Sequence, residues 1–230
     1  MTAESLASDA YRRMKEDIIS CSLPPGSFHT EAELAGRYGV SKTPVRFSLT
    51  LLQSEGLVTV LPRRGIHIAP VNVQELQAVY TLRGLLEPFA ASLAATNRKP
   101  DDLVELRRLW NSVHGDGKRD LAVDQIRAHS QFHVFLAKAS GMRQLWVLIR
   151  TLHESMDRFL NSMPQLGRQM HFGDLDAKLL QSVEDGDAAA AEALTREAIA
   201  ASAEVATSSI LGTIRAASAS AAPVPATGLS

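Results

Sequence analysis

The chain has 230 residues, 45% of them hydrophobic and 21% charged, with a net charge of -1 and a single cysteine, Cys21. That length holds a sizeable core and more naturally two domains than one, and the neutral balance excludes a polycation, so any nucleic-acid surface must be local. One cysteine excludes a disulfide framework within one chain, and the sequence shows neither an apolar run of membrane-spanning length nor a signal-peptide core; a soluble, mostly helical, cytoplasmic protein is expected.

In chain order, residues 1–8 lack periodicity and are expected to form a loose arm, followed by a helix from Asp9 to about Ser20 with Tyr11, Met14, Ile18 and Ile19 on its apolar face. Leu23-Pro24-Pro25-Gly26 ends it. Phe28 is placed as a hydrophobic staple ahead of Thr30, which forms a capping box with Glu33. Leu34, Ala35 and Tyr38 give a helical spacing, Gly39 supplies a positive-φ turn, and Val40 plugs the corner. Ser41 is the N-cap of a second helix that tolerates Pro44 in its first turn and buries Val45, Leu49 and Leu52. Two short helices with a glycine turn describe either a helix-turn-helix or an ordinary helical hairpin.

The next stretch decides between them. Leu57–Leu61 and Ile66–Ala69 are short β-branched runs around Pro62-Arg63-Arg64-Gly65, a hairpin placed as a wing. From Arg37 to His67 the basic residues are Arg37, Lys42, Arg46, Arg63 and Arg64 against Glu55 alone, the local excess that a phosphate-binding face needs. Ser41, Lys42, Thr43 and Arg46 at the recognition-helix start, with Arg63, Arg64 and Gly65 at the wing, are the expected DNA-binding set. The run Val40-Ser41-Lys42-Thr43-Pro44-Val45-Arg46, then Glu55-Gly56-Leu57-Val58 and Arg64-Gly65, resembles the winged-helix domain of the GntR family of bacterial transcription regulators. The sequence departs from that pattern at Lys42 (usually arginine), at Phe47-Ser48 (usually Glu-Ala), and at Ala32, where some members carry a DNA-contacting arginine.

After a short junction, Asn72 and Glu75 cap a helix marked by Leu76, Val79, Tyr80, Leu86, Phe89 and Leu93. Further helices are expected around Leu103–Val113, from about Asp120 to Ser140, through Leu145–Phe159 up to Met163-Pro164, from roughly Gln169 to Glu184, and from Asp187 to about Ala217. The expected organisation is a winged helix-turn-helix over 9–71, an all-α bundle over 72–217 serving effector binding and dimerisation, and a disordered tail over 218–230. Leu82-Arg83-Gly84-Leu85-Leu86-Glu87-Pro88, Phe132-His133 with Ala139-Ser140-Gly141, and the Gly186-Asp187 turn make the bundle resemble the FadR-type (FCD) effector domain.

Ala122, Ile126, His129, His133 and Leu136 share one helix face, and Phe172, Asp176, Leu179 and Val183 another, so both imidazoles and a carboxylate point inward. Histidines at i and i+4 can grip a divalent ion such as Zn or Ni; the alternative is a metal-free hydrogen-bonded cluster that contacts the effector directly. The FCD resemblance implies a metal set of one aspartate and three histidines, which falls on His129, His133, Asp176 and Ala198, with the last unable to ligate. Arg83, His129, His133 and Asp176 are the expected effector pocket, although Arg83 and Glu87 at i and i+4 also read as a structural pair. Arg150 and Asn161 are ambiguous in helix phase, and His29, His67, His114, His153 and His171 show no partner pattern.

The resulting expectation is a homodimeric, ligand-responsive DNA-binding regulator, a repressor released by a small organic-acid metabolite such as a carboxylate, and no enzyme. The competing class is a metal-dependent enzyme built on His129, His133 and Asp176, for which no general base or nucleophile stands out. A third is a winged helix that binds protein rather than DNA.

Overall fold

The computed structural model describes residues 3–114, 122–169 and 174–220. Helix α1 (Ala3–Ile19) is followed by strand β1 (Phe28–His29), α2 (Glu31–Tyr38), α3 (Lys42–Ser54), and strands β2 (Val58–Leu61) and β3 (Gly65–Ile68). Ala10, Met14 and Ile18 of α1 pack on Leu34, Tyr38, Val45, Leu49, Leu52, Val58, Ile66 and Ile68, so the helix pair and the wing share one core. The capping box forms: the Glu33 amide donates to Thr30 Oγ1 at 3.2 Å and the Thr30 amide donates to Glu33 Oε2 at 2.7 Å. Gly39 closes α2 at φ 67°, its amide directed at the Ala35 and Gly36 carbonyls.

Three expectations are corrected here. The N-terminal segment is helical from Ala3 rather than a loose arm up to residue 8. The wing is a three-stranded antiparallel sheet of order β1-β3-β2, because Phe28 and His29 pair with His67 and Ile66. Phe28 is therefore not a buried staple: it is 49% exposed and stacks on His67 with ring centroids 4.6 Å apart. The extra strand also explains Gly65, whose φ is +95°; a Cβ there would meet the His29 carbonyl oxygen at 2.5 Å. The glycine is required by the close approach of β1, whatever else the wing tip does.

The second half is helical throughout the described residues: α4 (Val73–Asn97), α5 (Pro100–His114), α6 (Ala122–Ala139), α7 (Arg143–Ser162), α8 (Pro164–Gln169), α9 (Asp174–Asp185) and α10 (Ala188–Ser220). Asn72 caps α4 by accepting from the Gln74 amide at 2.9 Å. Pro164 ends α7 and opens α8, a short helix ahead of the one expected from roughly Gln169; proline suits a first turn because its missing amide has no intrahelical partner there. Phe172, His171 and the 115–121 stretch that includes Asp120 lie outside the described residues, as does the tail beyond Ser220; residues 218–220 continue α10.

Small residues let the bundle's central helices approach closely. Ala91, Ala94 and Ala95 of α4 pack with Leu106, Phe132, Leu136, Leu179, Val183 and Ala191 in one core, while Leu76, Tyr80, Ile126, Met156, Phe159, Leu166, Ile199 and Ile210 form another. Phe89 does not join them. It is 50% exposed, and Leu82 and Leu85 stand on the same outward face of α4.

The halves are joined along α7. Lys15 bridges Glu55 at 2.7 Å and Glu154 at 2.8 Å, the Asn161 amide donates to the Ile19 carbonyl at 2.9 Å, and the Arg158 guanidinium donates to the Ala69 carbonyl. Burial opposes the Lys15 charge, but the two carboxylates outweigh it and push the ammonium up to about 12. Arg127 of α6 adds an ion pair to Glu16 of α1.

Candidate nucleic-acid interface and ligand cavity

Helix α3 is amphipathic in the sense its spacing predicts. Val45, Ser48, Leu49 and Leu52 are buried, whereas Ser41, Lys42, Thr43, Arg46, Phe47 and Thr50 face outward. Ser41 has the extended geometry of an N-cap, with φ -74° and ψ 172°, but its side chain makes no cap hydrogen bond. The first-turn amides of α3 therefore keep their donor capacity toward an external acceptor. Arg63 and Arg64 are exposed at the wing, Arg63 in the left-handed region at φ 65°, and Arg64 sits over the Phe28 ring at 6.0 Å.

The cationic excess is smaller than the 37–67 window implies, because the neutralising carboxylates come from outside it. Arg46 is held by Glu31, with Nε 3.0 Å from both carboxylate oxygens, and Arg37 Nε donates to Asp17 at 2.9 Å. Lys42, Arg63 and Arg64 are exposed.

In the bundle, α6 and α9 bring His129, His133 and Asp176 together as the helical spacing predicts. His129 Nε2 lies 3.0 Å from Asp176 Oδ2 and 3.0 Å from His133 Nε2, which in turn is 3.4 Å from Asp176 Oδ1. All three ligand atoms fall within 4.8 Å of one another. Burial, reinforced by the neighbouring His133, lowers the His129 pKa to about 4. Burial raises the Asp176 carboxyl, but His129 and His133 outweigh it and hold the pKa well below the ordinary value. A neutral imidazole and an ionised carboxylate are the forms that ligate metals.

The three line a cavity of about 570 Å³ with Arg83, Asp174, Thr195, Ala198 and Ser202. Ala198 thus faces the cavity without a ligating atom, while Asp174, Thr195 and Ser202 add oxygens there. Arg83 reaches the cavity wall, yet its guanidinium is committed to Glu87, Nε to Oε1 at 2.6 Å, with both groups buried.

Behind this cavity runs a buried polar chain that the sequence did not reveal. His153 Nε2 is 3.1 Å from Glu87, its Nδ1 is 3.2 Å from Ser130 Oγ, its ring stacks on His133 at 5.5 Å, and Ser130 donates to Asp157. Burial lowers His153 to about 4 and raises Asp157 to about 7, the latter against the Ser130 hydrogen bond and the Arg83 charge. Ser130, His153 and Asp157 also line a second cavity, of about 550 Å³, between α1 and helices α5, α6 and α7, and Arg150 and Asn161 face this one. The available signal was faint: His153 and Asp157 are i and i+4 on α7, but their partners are 23 and 27 residues away on α6.

Comparison with known proteins follows this division. Residues 6–68 match the gntR family of bacterial regulatory proteins and residues 78–201 match the FCD domain. The chain is 30% identical over 151 residues to an uncharacterized HTH-type transcriptional regulator in an unstable DNA locus of Streptomyces ambofaciens, covering 65% of this chain and 63% of that protein. It is 25% identical over 148 residues to the HTH-type transcriptional repressor RspR of Escherichia coli K12, covering 64% and 65%. The chain thus spans a little under two thirds of the length of these relatives. Its fold is similar to that of McbR/YncC of Escherichia coli, with a TM-score of 0.74 at 23% identity, over 91% of this chain and 100% of that one. With the FCD match alone spanning more than half of the sequence, the chain belongs to the gntR family of bacterial regulatory proteins and carries its FCD domain.

Proposed function

We propose that this protein is a ligand-responsive DNA-binding transcriptional regulator, a cytoplasmic homodimer that represses until a small carboxylate occupies the bundle. The observation that carries this reading is a mechanical one: the helix that borders the ligand cavity's polar chain, α7, is also the helix that grips the winged helix. His153 and Asp157 face the chain, and Glu154, Arg158 and Asn161 face α1 and the end of β3. A ligand that favours one placement of α7 shifts the winged helices by its differential affinity for the two placements. Ser41, Lys42, Thr43 and Arg46 enter the major groove, and Arg63, Arg64 and Gly65 approach the backbone beside it. A repressor among the relatives supports the sign of regulation. The relatives are named as regulators, and no part of the site requires catalysis.

The donor set fits a divalent ion. His129, His133 and Asp176 would hold it, and its remaining positions would take the effector's carboxylate, with Arg83, Thr195 and Ser202 on the cavity wall.

Binding of the full-length protein to the DNA flanking its own gene, followed by fluorescence anisotropy, tests the regulator reading. The expected result is affinity that falls steeply with salt, about one log unit per log of salt for each phosphate contacted, and that changes when two- to six-carbon carboxylic acids are added. No salt-sensitive binding to those fragments or to any selected duplex overturns it. Zn and Ni content after dialysis against each metal tests the ion separately: wild-type protein is expected to retain about one equivalent and H133A much less, and equal content in both removes His133 from the site.

A further inference from the structure

The outward stripe of α3 contains one residue that neither the core nor the cationic chemistry explains. Phe47 is 53% exposed, and it stands among Thr43, Arg46 and Thr50, which are also exposed. These four share one face by their 3 and 4 spacing. The ring is not needed for folding, because the buried face of α3 is complete with Val45, Ser48, Leu49 and Leu52. Leaving half of a phenylalanine in water is unfavourable, and a partner that covers it recovers that cost.

Direction and chemistry identify the partner. Side chains on a helix lean toward its N-terminus, so the ring overlies the turn that holds Thr43. That turn is the part of a recognition helix that meets base edges. A phenyl ring neither donates nor accepts a hydrogen bond, so it would leave the exposed donors and acceptors of guanine, cytosine and adenine unpaired. The thymine 5-methyl group is the one apolar feature of the major groove. Arg46, which shares the stripe with Phe47, is tethered to Glu31.

Resting on the DNA-binding reading above, we propose that Phe47 reads a thymine methyl group in the major groove and is a specificity-determining residue of this protein's operator. Phosphate contacts from Lys42 and the wing then set register, and Phe47 sets sequence at its own position.

The test removes the methyl group without touching the protein. Duplexes are selected from a randomised pool with the full-length protein, and each thymine of the winning sequence is replaced singly by deoxyuridine. At one or two positions the wild type is expected to lose affinity by about fourfold, the effect of one methyl-sized group leaving an apolar contact. F47A binds the parent duplex more weakly and is indifferent to uracil there, whereas F47L keeps part of the discrimination. Phe47 is half exposed, so both variants fold, as circular dichroism will show. Selection of a duplex with no uracil effect at any position, or an F47A variant that still discriminates, overturns the Phe47 proposal alone. Failure to enrich any duplex overturns it together with the DNA-binding reading.

Discussion

Asp157 carries a cost that the rest of its neighbourhood must offset. Its carboxyl lies between α6 and α7, and burial raises its pKa to about 7 although Ser130 donates to it. An acid with a raised pKa binds a proton in the folded state that the unfolded chain has already released. Its contribution therefore destabilises progressively from about pH 4 to about pH 7 and is constant above. His129 and His153 act in the opposite sense, since burial lowers both from 6.5 to about 4. Between those limits the unfolded chain takes up protons that the folded one refuses, so their contribution weakens as pH falls. Comparing wild type with D157N isolates the aspartate, because the amide still accepts from Ser130 and both proteins keep the histidines. Urea denaturation across pH 4.5 to 8 should show the difference moving in the variant's favour with rising pH, by on the order of 4 kcal/mol at most. A difference that stays constant with pH would mean that Asp157 titrates normally. The sequence disclosed His129, His133 and Asp176 because helical spacing puts each on an apolar stripe. It paired Glu87 with Arg83, as the structure has it, but it hid the link from Glu87 through His153 and Ser130 to Asp157, because those contacts join three helices and no local pattern encodes which polar residue of one helix meets which of another.

At the scale of elements, α7 carries three sets of residues with different duties. Met156, Phe159 and Leu160 pack into the bundle, His153 and Asp157 border the polar chain, and Glu154, Arg158 and Asn161 meet the winged helix. The sequence located this helix well, from its apolar repeat and from the Met163-Pro164 break, but its phase at Asn161 was ambiguous and Arg158 drew no notice. Both residues donate to main-chain carbonyls, Asn161 to Ile19 and Arg158 to Ala69, and a main-chain acceptor leaves no trace in side-chain spacing. The same blindness applies to β1. Two residues of strand have no periodicity to detect, and Phe28 reads as a staple until the β3 edge is seen to need a partner. By contrast, the α2–α3 unit was legible almost residue by residue. Its capping box, positive-φ glycine and buried stripe are local features whose cause lies within a few residues of each.

The whole molecule presents a face that folding of one chain leaves unfinished. Along α4, Leu82, Leu85 and Phe89 are 45%, 67% and 50% exposed at spacings of 3 and 4, so they form a row on one side of the helix, with exposed Ala78 one turn before it. Phe89 belongs to the apolar repeat by which the sequence marks this helix, but the inward face around it is built from Ala90, Ala91, Ala94 and Ala95. A row of large apolar side chains of this kind marks an interaction surface more often than a free one. A second copy of α4 packed across a two-fold axis would bury each row against its equivalent, as an isologous contact requires. Burying one leucine is worth about 1.5–3 kcal/mol, so Leu85, the most exposed of the three, should dominate. Replacing it by glutamate puts two like charges against each other at the axis and leaves each chain's own core untouched. L85E is therefore expected to run as a monomer in light scattering at micromolar concentration, and the wild type as a dimer, with the same helical circular dichroism in both. Its affinity for a palindromic duplex should fall far more than its affinity for a half-site, since only the dimer gains from engaging both halves at once. A dimeric L85E would move the interface away from α4, and a monomeric wild type would overturn the two-fold contact itself.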